Sequence, residues 1–232
     1  MDLTDDQQLI RDSVLKLCAR FDDGYWLARD RDGEYPRDFA AAFAEGGWIG
    51  TAMPAEYGGA GLGVTEAALA MQAVAESGAG MSGASAVHIS IFGPRVIVKH
   101  GTAEQKRRFL APLIAGKDIC SFGVTEPDAG LDTTHIKTFA ERSGDRYVIR
   151  GQKVWTSLAQ VATRILLENE NGHVTGFRIK PAENGEVCFD IHYRNGGSSK
   201  LRSLREWSAP SWPRSSSSAA MPIFRCSPTA RR

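Results

Sequence analysis

The chain has 232 residues, of which 42% are hydrophobic and 24% charged, and its formal net charge is +1. A chain of this length can bury a substantial core as one large domain or two small ones. The near-neutral charge creates no global field that would attract nucleic acid or an anionic membrane, so neither partner is expected. The four cysteines are far apart and form no CxxC motif, so the sequence indicates neither a zinc site nor a disulfide framework. Scattered free thiols in a chain of this length suggest a reducing compartment.

The N-terminal sequence MDLTDDQQ is acidic and lacks the charged-then-apolar layout of a signal peptide. No stretch approaches the ~20 consecutive apolar residues of a membrane-spanning helix. We therefore expect a cytoplasmic protein without a membrane span.

The first half of the chain has helical periodicity. Thr4 to Gln7 has the form of a capping box, and apolar residues then recur at helical spacing as far as Phe21. Further helices are predicted from Pro36 to Gly46, over Thr65 to Ser77, from about Ser82 to His100 with an interruption at Gly93-Pro94, and over Glu104 to Leu110 behind a Thr102 cap.

The glycine-rich run from Met53 to Gly63, MPAEYGGAGLG, lies between two predicted helices. It lacks the glycine spacing and the preceding strand of a dinucleotide-binding loop, so a connecting loop is predicted. His88 and His100 fall in an apolar helical segment, which favours structural roles for both.

After Cys120 the pattern changes to short β-prone runs. Lys137 to Glu141 and Arg146 to Arg150 flank the turn signal Ser143-Gly144-Asp145 and predict a hairpin. Other predicted strands are Lys153 to Ser157, Val161 to Leu167, His173 to Lys180 and Val187 to Tyr193. Helices followed by strands predict an α+β fold, with an all-α N-terminal domain and an antiparallel β domain.

The last stretch, residues 195–232, is rich in serine and basic residues, and its apolar residues follow no helix or strand period. Both a disordered tail and a frame-disrupted end account for this composition. The predicted organisation is a helical domain over 1–118, a β domain over 119–194 and this tail.

Two polar segments of the β domain are candidates for a ligand site. The sequence FGVTEPDAGLDTTHIKT, from Phe122 to Thr138, places Gly, Pro and many side-chain oxygens between two apolar runs. It is either a surface turn or a wall of a ligand site. Trp155, Thr156 and Ser157 combine an indole with two hydroxyls, which suits a planar aromatic cofactor, although core packing would also explain the tryptophan.

The combination of GVTEPDAGLD and HIKTFAERSGDRYVIRGQKVWTS resembles the flavin-binding region of acyl-CoA dehydrogenases. The helical lead-in, with MPAEYGGAGLG and HGTAEQKRRFLAPLIAGKDICSFGVTEP, is laid out as in that family, and the resemblance covers about residues 1–167. It implies an FAD enzyme with a helical N-terminal domain, a β-barrel-like middle domain and a C-terminal four-helix bundle. This chain would then be truncated before the bundle.

The family resemblance also implies a reaction and partners. Members oxidise an acyl-CoA thioester to the trans-2-enoyl-CoA, pass electrons to an electron-transferring flavoprotein and usually form homotetramers. Their catalytic glutamate lies in the C-terminal domain, so no residue of this chain is expected to be the base. An acyl-CoA oxidase or flavin monooxygenase of the same fold, and a non-catalytic remnant, are the alternatives.

By the same resemblance, six residues would contact FAD. Thr125 would bond the pyrimidine side of the flavin, with Phe122 and Val124 giving backbone and packing contacts. Trp155, Thr156 and Ser157 would form the second strip: the indole would pack against the ring and the Ser157 hydroxyl would lie near the reactive nitrogen. Leu131 stands where the family often has a serine that contacts acyl-CoA. Because leucine can neither donate nor accept a hydrogen bond, that substrate contact is not expected here.

Overall fold

The computed structural model describes residues 3–143 and 146–167, together with six short strand segments at 175–178, 180–181, 187–188, 190–192, 198–200 and 224–226. It divides into two compact units, Met1–Cys120 and Ser121–Arg232. Within the described residues, the first unit is helical and the second is built mainly of strands.

The first unit contains every helix that the sequence predicts. In chain order the helices are α1 Asp5–Cys18, α2 Asp23–Asp32, α3 Arg37–Glu45, α4 Val64–Glu76, α5 Gly80–Phe92, α6 Arg95–His100 and α7 Ala103–Ile114. Capping boxes at Thr4 and Thr102 begin α1 and α7, as predicted. Helix α2 was not predicted, because its sequence is mostly polar and Trp26 is its one buried residue.

Small residues let the helices of this unit pack closely. Helix α4 packs against α1 and α5, and Ala67, Ala70 and Ala73 along it are fully buried. Burying alanines brings helix backbones together while freezing little side-chain entropy. Phe39 and Phe43 of α3 are also fully buried. A cluster of edge-on aromatic rings around Phe39 extends this core to the start of α2.

The glycine-rich loop after Met53 folds back on the chain that precedes it. Its amides are used internally: Ala60 N donates to Gly50 O over 3.0 Å and Gly61 N donates to Met53 O over 2.8 Å. At Gly59, a Cβ atom would lie only 2.8 Å from Gly50 O. The glycines therefore serve a close backbone approach, in agreement with the prediction of a connecting loop.

Helices α5 and α6 are separated at Gly93-Pro94, where the sequence predicts an interruption. The segment Gly80–His100 is, within the part of the chain that the structure describes, the one candidate that is long and apolar enough to cross a membrane. A buried core helix of a soluble protein passes the same test. Length and composition alone therefore do not assign this segment to a membrane.

The strands form three small sheets. The strands are β1 Cys120–Gly123, β2 Phe139–Ser143, β3 Arg146–Lys153, β4 Arg164–Leu167, β5 Thr175–Arg178, β6 Lys180–Pro181, β7 Val187–Cys188, β8 Asp190–His192, β9 Ser198–Lys200 and β10 Phe224–Cys226. The sheet orders are β1-β4-β5-β8-β9, β10-β3-β2 and β6-β7. The barrel-like closure that the family resemblance implies is not found among the described strands.

The predicted hairpin is present. Strands β2 and β3 pair antiparallel, from Ser143 opposite Arg146 to Phe139 opposite Arg150. The predicted strand over Lys153 to Ser157 is wrong, because β3 ends at Lys153 and Trp155 has a φ of +58°, outside the strand region. Strands β9 and β10 fall within 195–232, and the rest of that segment lies outside the described residues.

Gly151 in β3 makes the close approach between β3 and the chain entering β2. Its φ is +154°, and a Cβ atom there would overlap the Thr138 side chain and lie 2.7 Å from the Thr138 Cα. We expect Gly151→Ala to lower the free energy of unfolding of the second unit by roughly 2 kcal/mol, through the positive φ and the steric overlap. Hydrogen exchange at the β2–β3 amides would measure this loss separately from the helical unit.

Gly130→Ala is the matched control, because a Cβ atom there has no neighbour within 4 Å and the backbone is not in the positive-φ region. Its effect should stay within about 0.5 kcal/mol. Equal exchange rates in the Gly151 and Gly130 variants would contradict the steric account.

Candidate functional site

The first candidate segment is a tight turn at the end of a buried strand. Strand β1 is followed by Val124 and Thr125, and the chain then reverses at Pro127. Reciprocal bonds close the reversal, from Glu126 N to Ala129 O over 2.8 Å and from Ala129 N to Glu126 O over 3.2 Å. Proline suits the second position of such a turn because its φ is already fixed.

The Glu126 carboxylate lies beneath this turn and is 6% exposed. It accepts hydrogen bonds from the backbone amides of Lys137 over 2.7 Å and Thr138 over 2.8 Å. It also accepts one from Lys153 Nζ over 2.9 Å. A buried carboxylate is tolerated only when its oxygens are satisfied in this way.

Lys153 brings the second candidate segment to the first. Its ammonium is buried and donates both to the Glu126 carboxylate and, over 2.8 Å, to the carbonyl of Val124. The next amide along the chain, Val154 N, donates to the carbonyl of Thr125 over 2.9 Å. Lys153, the last residue of β3, and Val154, which follows it, therefore bind two consecutive carbonyls after β1.

The pKa of Glu126 reflects these contacts. Burial acts to raise it, but the hydrogen bonds from the amides of Lys137 and Thr138 and from Lys153 Nζ outweigh burial and lower the pKa from 4.5 to about 2. The carboxylate therefore stays ionised over the physiological pH range, and it is a weak proton acceptor.

The second candidate segment is a turn with an unusual backbone. Trp155 and Leu158 have φ values of +58° and +62°, a region that bulky residues seldom adopt. The Trp155 side chain is 64% exposed, whereas Thr156 is 3% exposed. The turn is closed by a bond from Ala159 N to Thr156 O over 3.3 Å, and Ser121 Oγ donates to Ser157 O over 2.6 Å.

The Thr156 hydroxyl is buried and has no hydrogen-bond partner among the described residues. An unsatisfied buried hydroxyl is unfavourable by roughly 1–3 kcal/mol. The exposed indole of Trp155 and this buried hydroxyl belong to adjacent residues of one turn.

The loop from Leu131 to His135 has a different character. Leu131 is fully exposed. Asp132 accepts bonds from Thr134 N and Thr134 Oγ1 over 3.1 and 2.5 Å and pairs with His135 Nδ1 over 2.9 Å, all at the surface. The Thr134 bonds and that of His135 hold the pKa of Asp132 below its usual value. This part of the loop is a self-capped surface turn.

The structure thus brings together five of the seven predicted site residues. The bonds from Lys153 Nζ to Val124 O and from Val154 N to Thr125 O link the segment of Val124 and Thr125 to the segment of Trp155, Thr156 and Ser157. Phe122 is half-buried on β1, and Leu131 is in the exposed loop. In the sequence, Lys153 and Ser121 had no assigned role. The one sequence feature that could have pointed to Lys153 is its place between Gly151 and Trp155 in a β-prone run.

The described residues hold no cluster of three or more metal-ligating side chains. What they do offer is an exposed aromatic face and hydroxyls at a strand end, which are groups that hold an organic ring system.

The sequence matches the acyl-CoA dehydrogenase N-terminal domain over residues 4–117 and the acyl-CoA dehydrogenase middle domain over residues 121–191. The chain belongs to the acyl-CoA dehydrogenase family. It is an oxidoreductase by family. The resemblance of its sequence motifs to acyl-CoA dehydrogenases is confirmed. The middle-domain match includes both candidate segments.

Individual relatives agree with this assignment. Acyl-CoA dehydrogenase FadE12 of Mycobacterium tuberculosis is 31% identical over 183 residues, which cover 77% of this chain and 46% of FadE12. The probable acyl-CoA dehydrogenase YngJ of Bacillus subtilis is 35% identical over 173 residues, which cover 74% of this chain and 45% of YngJ. The chain spans about half the length of the curated relatives it matches.

The fold is similar to that of solved family members. Glutaryl-CoA dehydrogenase from Mycobacterium smegmatis superposes with a TM-score of 0.68 at 28% identity, covering 85% of this chain and 52% of that one. The family's fold therefore extends over most of this chain.

The depressed pKa of Glu126 makes a prediction about acid stability. The folded-state pKa is lowered, so the carboxylate's contribution is present above about pH 4.5 and is lost as the pH falls toward 2. A shift of this size corresponds to roughly 3 kcal/mol. Glu126→Gln should lower the free energy of unfolding at pH 7 by a similar amount, and the difference from wild type should shrink as the pH falls from 4.5 to 2.

Urea unfolding at a series of pH values measures this difference. Asp128→Asn is the matched control in the same turn, because Asp128 pairs with Lys137 at the surface over 3.3 Å and both side chains are exposed. An exposed pair contributes about 0–1 kcal/mol. A constant gap between wild type and Glu126→Gln from pH 7 to 2 would contradict the assignment of this carboxylate.

Proposed function

We propose that this chain carries the flavin half of an FAD-dependent acyl-CoA dehydrogenase, and that the whole protein desaturates an acyl-CoA thioester to the trans-2-enoyl-CoA. The observation that carries the proposal is the junction of the two segments. The bond from Val154 N to Thr125 O brings a strand end with a hydroxyl beside an exposed tryptophan. Family membership supplies the reaction class.

Two features of the junction fit FAD and are not explained by packing. Trp155 has an unfavourable backbone conformation and keeps most of its indole in solvent. Thr156 buries a hydroxyl that has no partner among the described residues. A flat ring with polar edge atoms would cover the indole and give a hydroxyl in this turn a partner.

In the proposal the residues divide into packing and polar roles. Trp155 packs against the flavin, and Phe122 and Val124 contribute packing and backbone contacts. The Thr125 hydroxyl bonds the pyrimidine side, the Ser157 hydroxyl lies near the reactive nitrogen, and Thr156 belongs to the same strip. Bound FAD would accept the hydride that leaves the β-carbon. A fixed donor beside the atom that gains negative charge favours that transfer.

The Ser157 backbone is held firmly for this role. Its carbonyl accepts a bond of 2.6 Å from Ser121 Oγ, a side chain that is fully buried at the start of the second unit. A hydroxyl on a backbone fixed from behind loses little freedom when it binds a ligand.

The α-proton must be removed by a group other than Glu126. Its carboxylate accepts bonds from three neighbouring donors, and its pKa of about 2 is far from that of an effective base. The proposal therefore assigns the base to a carboxylate outside the described residues. The same proposal includes acyl-CoA as the substrate and an electron-transferring flavoprotein as the electron acceptor. It also includes a homo-oligomeric state and a cytoplasmic location.

Trp155→Gly separates flavin binding from folding. Glycine accepts a positive φ without strain and removes only an exposed side chain, so the free energy of unfolding should stay within about 1 kcal/mol of wild type. The loss of ring packing, roughly 1–3 kcal/mol, should weaken FAD binding by about 5- to 150-fold. Quenching of flavin fluorescence and retention of the visible flavin absorbance through gel filtration would measure binding.

Met81→Ala is the matched control, since Met81 is another exposed large apolar side chain, on α5 of the first unit. It should leave FAD binding unchanged. If the wild-type chain retains no flavin through gel filtration, the proposal is overturned. Anaerobic bleaching by acyl-CoA thioesters of different chain length, tested with the whole protein, would then identify the substrate class.

A further inference from the structure

We propose that Glu126 and Lys153 are positioning residues of the flavin site, which fix the two ligand-binding segments against each other without touching the ligand. This inference rests on the proposed function. It gives a role to two buried charged residues that have no part in the proposed reaction.

The ion pair acts through the backbone on both sides of the site. Lys153 Nζ binds the carbonyl of Val124, and the adjoining Val154 N binds the carbonyl of Thr125. Trp155 is the next residue. Any shift of Lys153 along β3 would therefore move the indole relative to the Thr125 hydroxyl.

A third segment closes the arrangement. The Glu126 carboxylate binds the amides of Lys137 and Thr138, immediately before β2. Strand β2 pairs with β3 up to Phe139 opposite Arg150, and β3 ends at Lys153. The contacts form a closed circuit from Glu126 through β2 and β3 back to Lys153, so no segment can slide alone.

The chemistry of the pair suits positioning better than stabilisation. A buried ion pair is often no more stabilising than apolar residues of similar volume, because two charges must be desolvated. A buried ammonium does, however, require particular acceptors, and here it has the Val124 carbonyl and the Glu126 carboxylate. It thereby selects one register of the two segments, and an apolar pair would not.

The strained turn explains why the site needs this selection. Trp155 and Leu158 both hold positive φ values, and such conformations persist only where the surroundings over-determine them. Without the pair, we expect the Trp155 backbone to relax toward a commoner conformation and the indole to leave the position that the flavin requires.

The test uses the double variant Glu126→Gln/Lys153→Met, which removes both charges and leaves neither one buried alone. Secondary structure by far-UV circular dichroism should be retained. The FAD dissociation constant should rise at least tenfold, and the visible circular dichroism of bound flavin, which reports the asymmetry of its surroundings, should weaken. A residue that served only the fold would change the unfolding midpoint but leave that visible signal intact once FAD is saturating.

The control removes both charges of a second, partly exposed ion pair in the same way, Glu76→Gln/Arg11→Met. Arg11 and Glu76 join α1 to α4 in the first unit through a bond of 2.8 Å. This variant should bind FAD within twofold of wild type and give the same visible signal.

The outcomes separate the two proposals. Wild type that fails to bind FAD overturns both. If wild type and the Glu126/Lys153 double variant bind FAD equally and give the same visible circular dichroism, only the positioning role is overturned. If the double variant does not fold, Lys153→Arg decides, because it keeps the charge but not the compact donor geometry. A several-fold weaker affinity supports positioning, and wild-type affinity overturns it.

Discussion

The buried ion pair between Glu126 and Lys153 is the interaction on which the candidate site depends. Its two side chains are almost fully enclosed, and between them they bind three separated stretches of chain. A buried charge without these hydrogen-bond partners would be strongly unfavourable. The position of Trp155 relative to Thr125 follows from this pair and from the adjoining Val154 bond.

The site combines strain with rigid support. Two residues of the turn after β3 have left-handed backbones, and Ser121 holds the carbonyl of Ser157 from the buried start of the second unit. In a cofactor enzyme the cofactor carries the redox step, and the residues around it contribute placement and polarisation. The arrangement in this chain is suited to placement: the groups assigned to the ring are presented on fixed backbone.

Sequence predicted the helices well because helix signals are local. The capping boxes at Thr4 and Thr102 and the break at Gly93-Pro94 each depend on a few neighbouring residues. The strand predicted over Lys153 to Ser157 failed because β-prone residue types do not reveal a positive φ. The pairing of Glu126 with Lys153 could not be predicted from residues alone, since it joins positions 27 apart whose proximity depends on the β2–β3 register. The motifs VTEP and GQKVW identified the family, but not the contact between them.

The most direct test of the account is hydrogen exchange of the chain with and without FAD. If the two segments form one flavin site, FAD should slow exchange at the amides of residues 122–126 and 154–158 together. Local opening of these segments would then require release of the ligand. Protection confined to one segment, or found only in the helical unit while both segments exchange as before, would contradict the account.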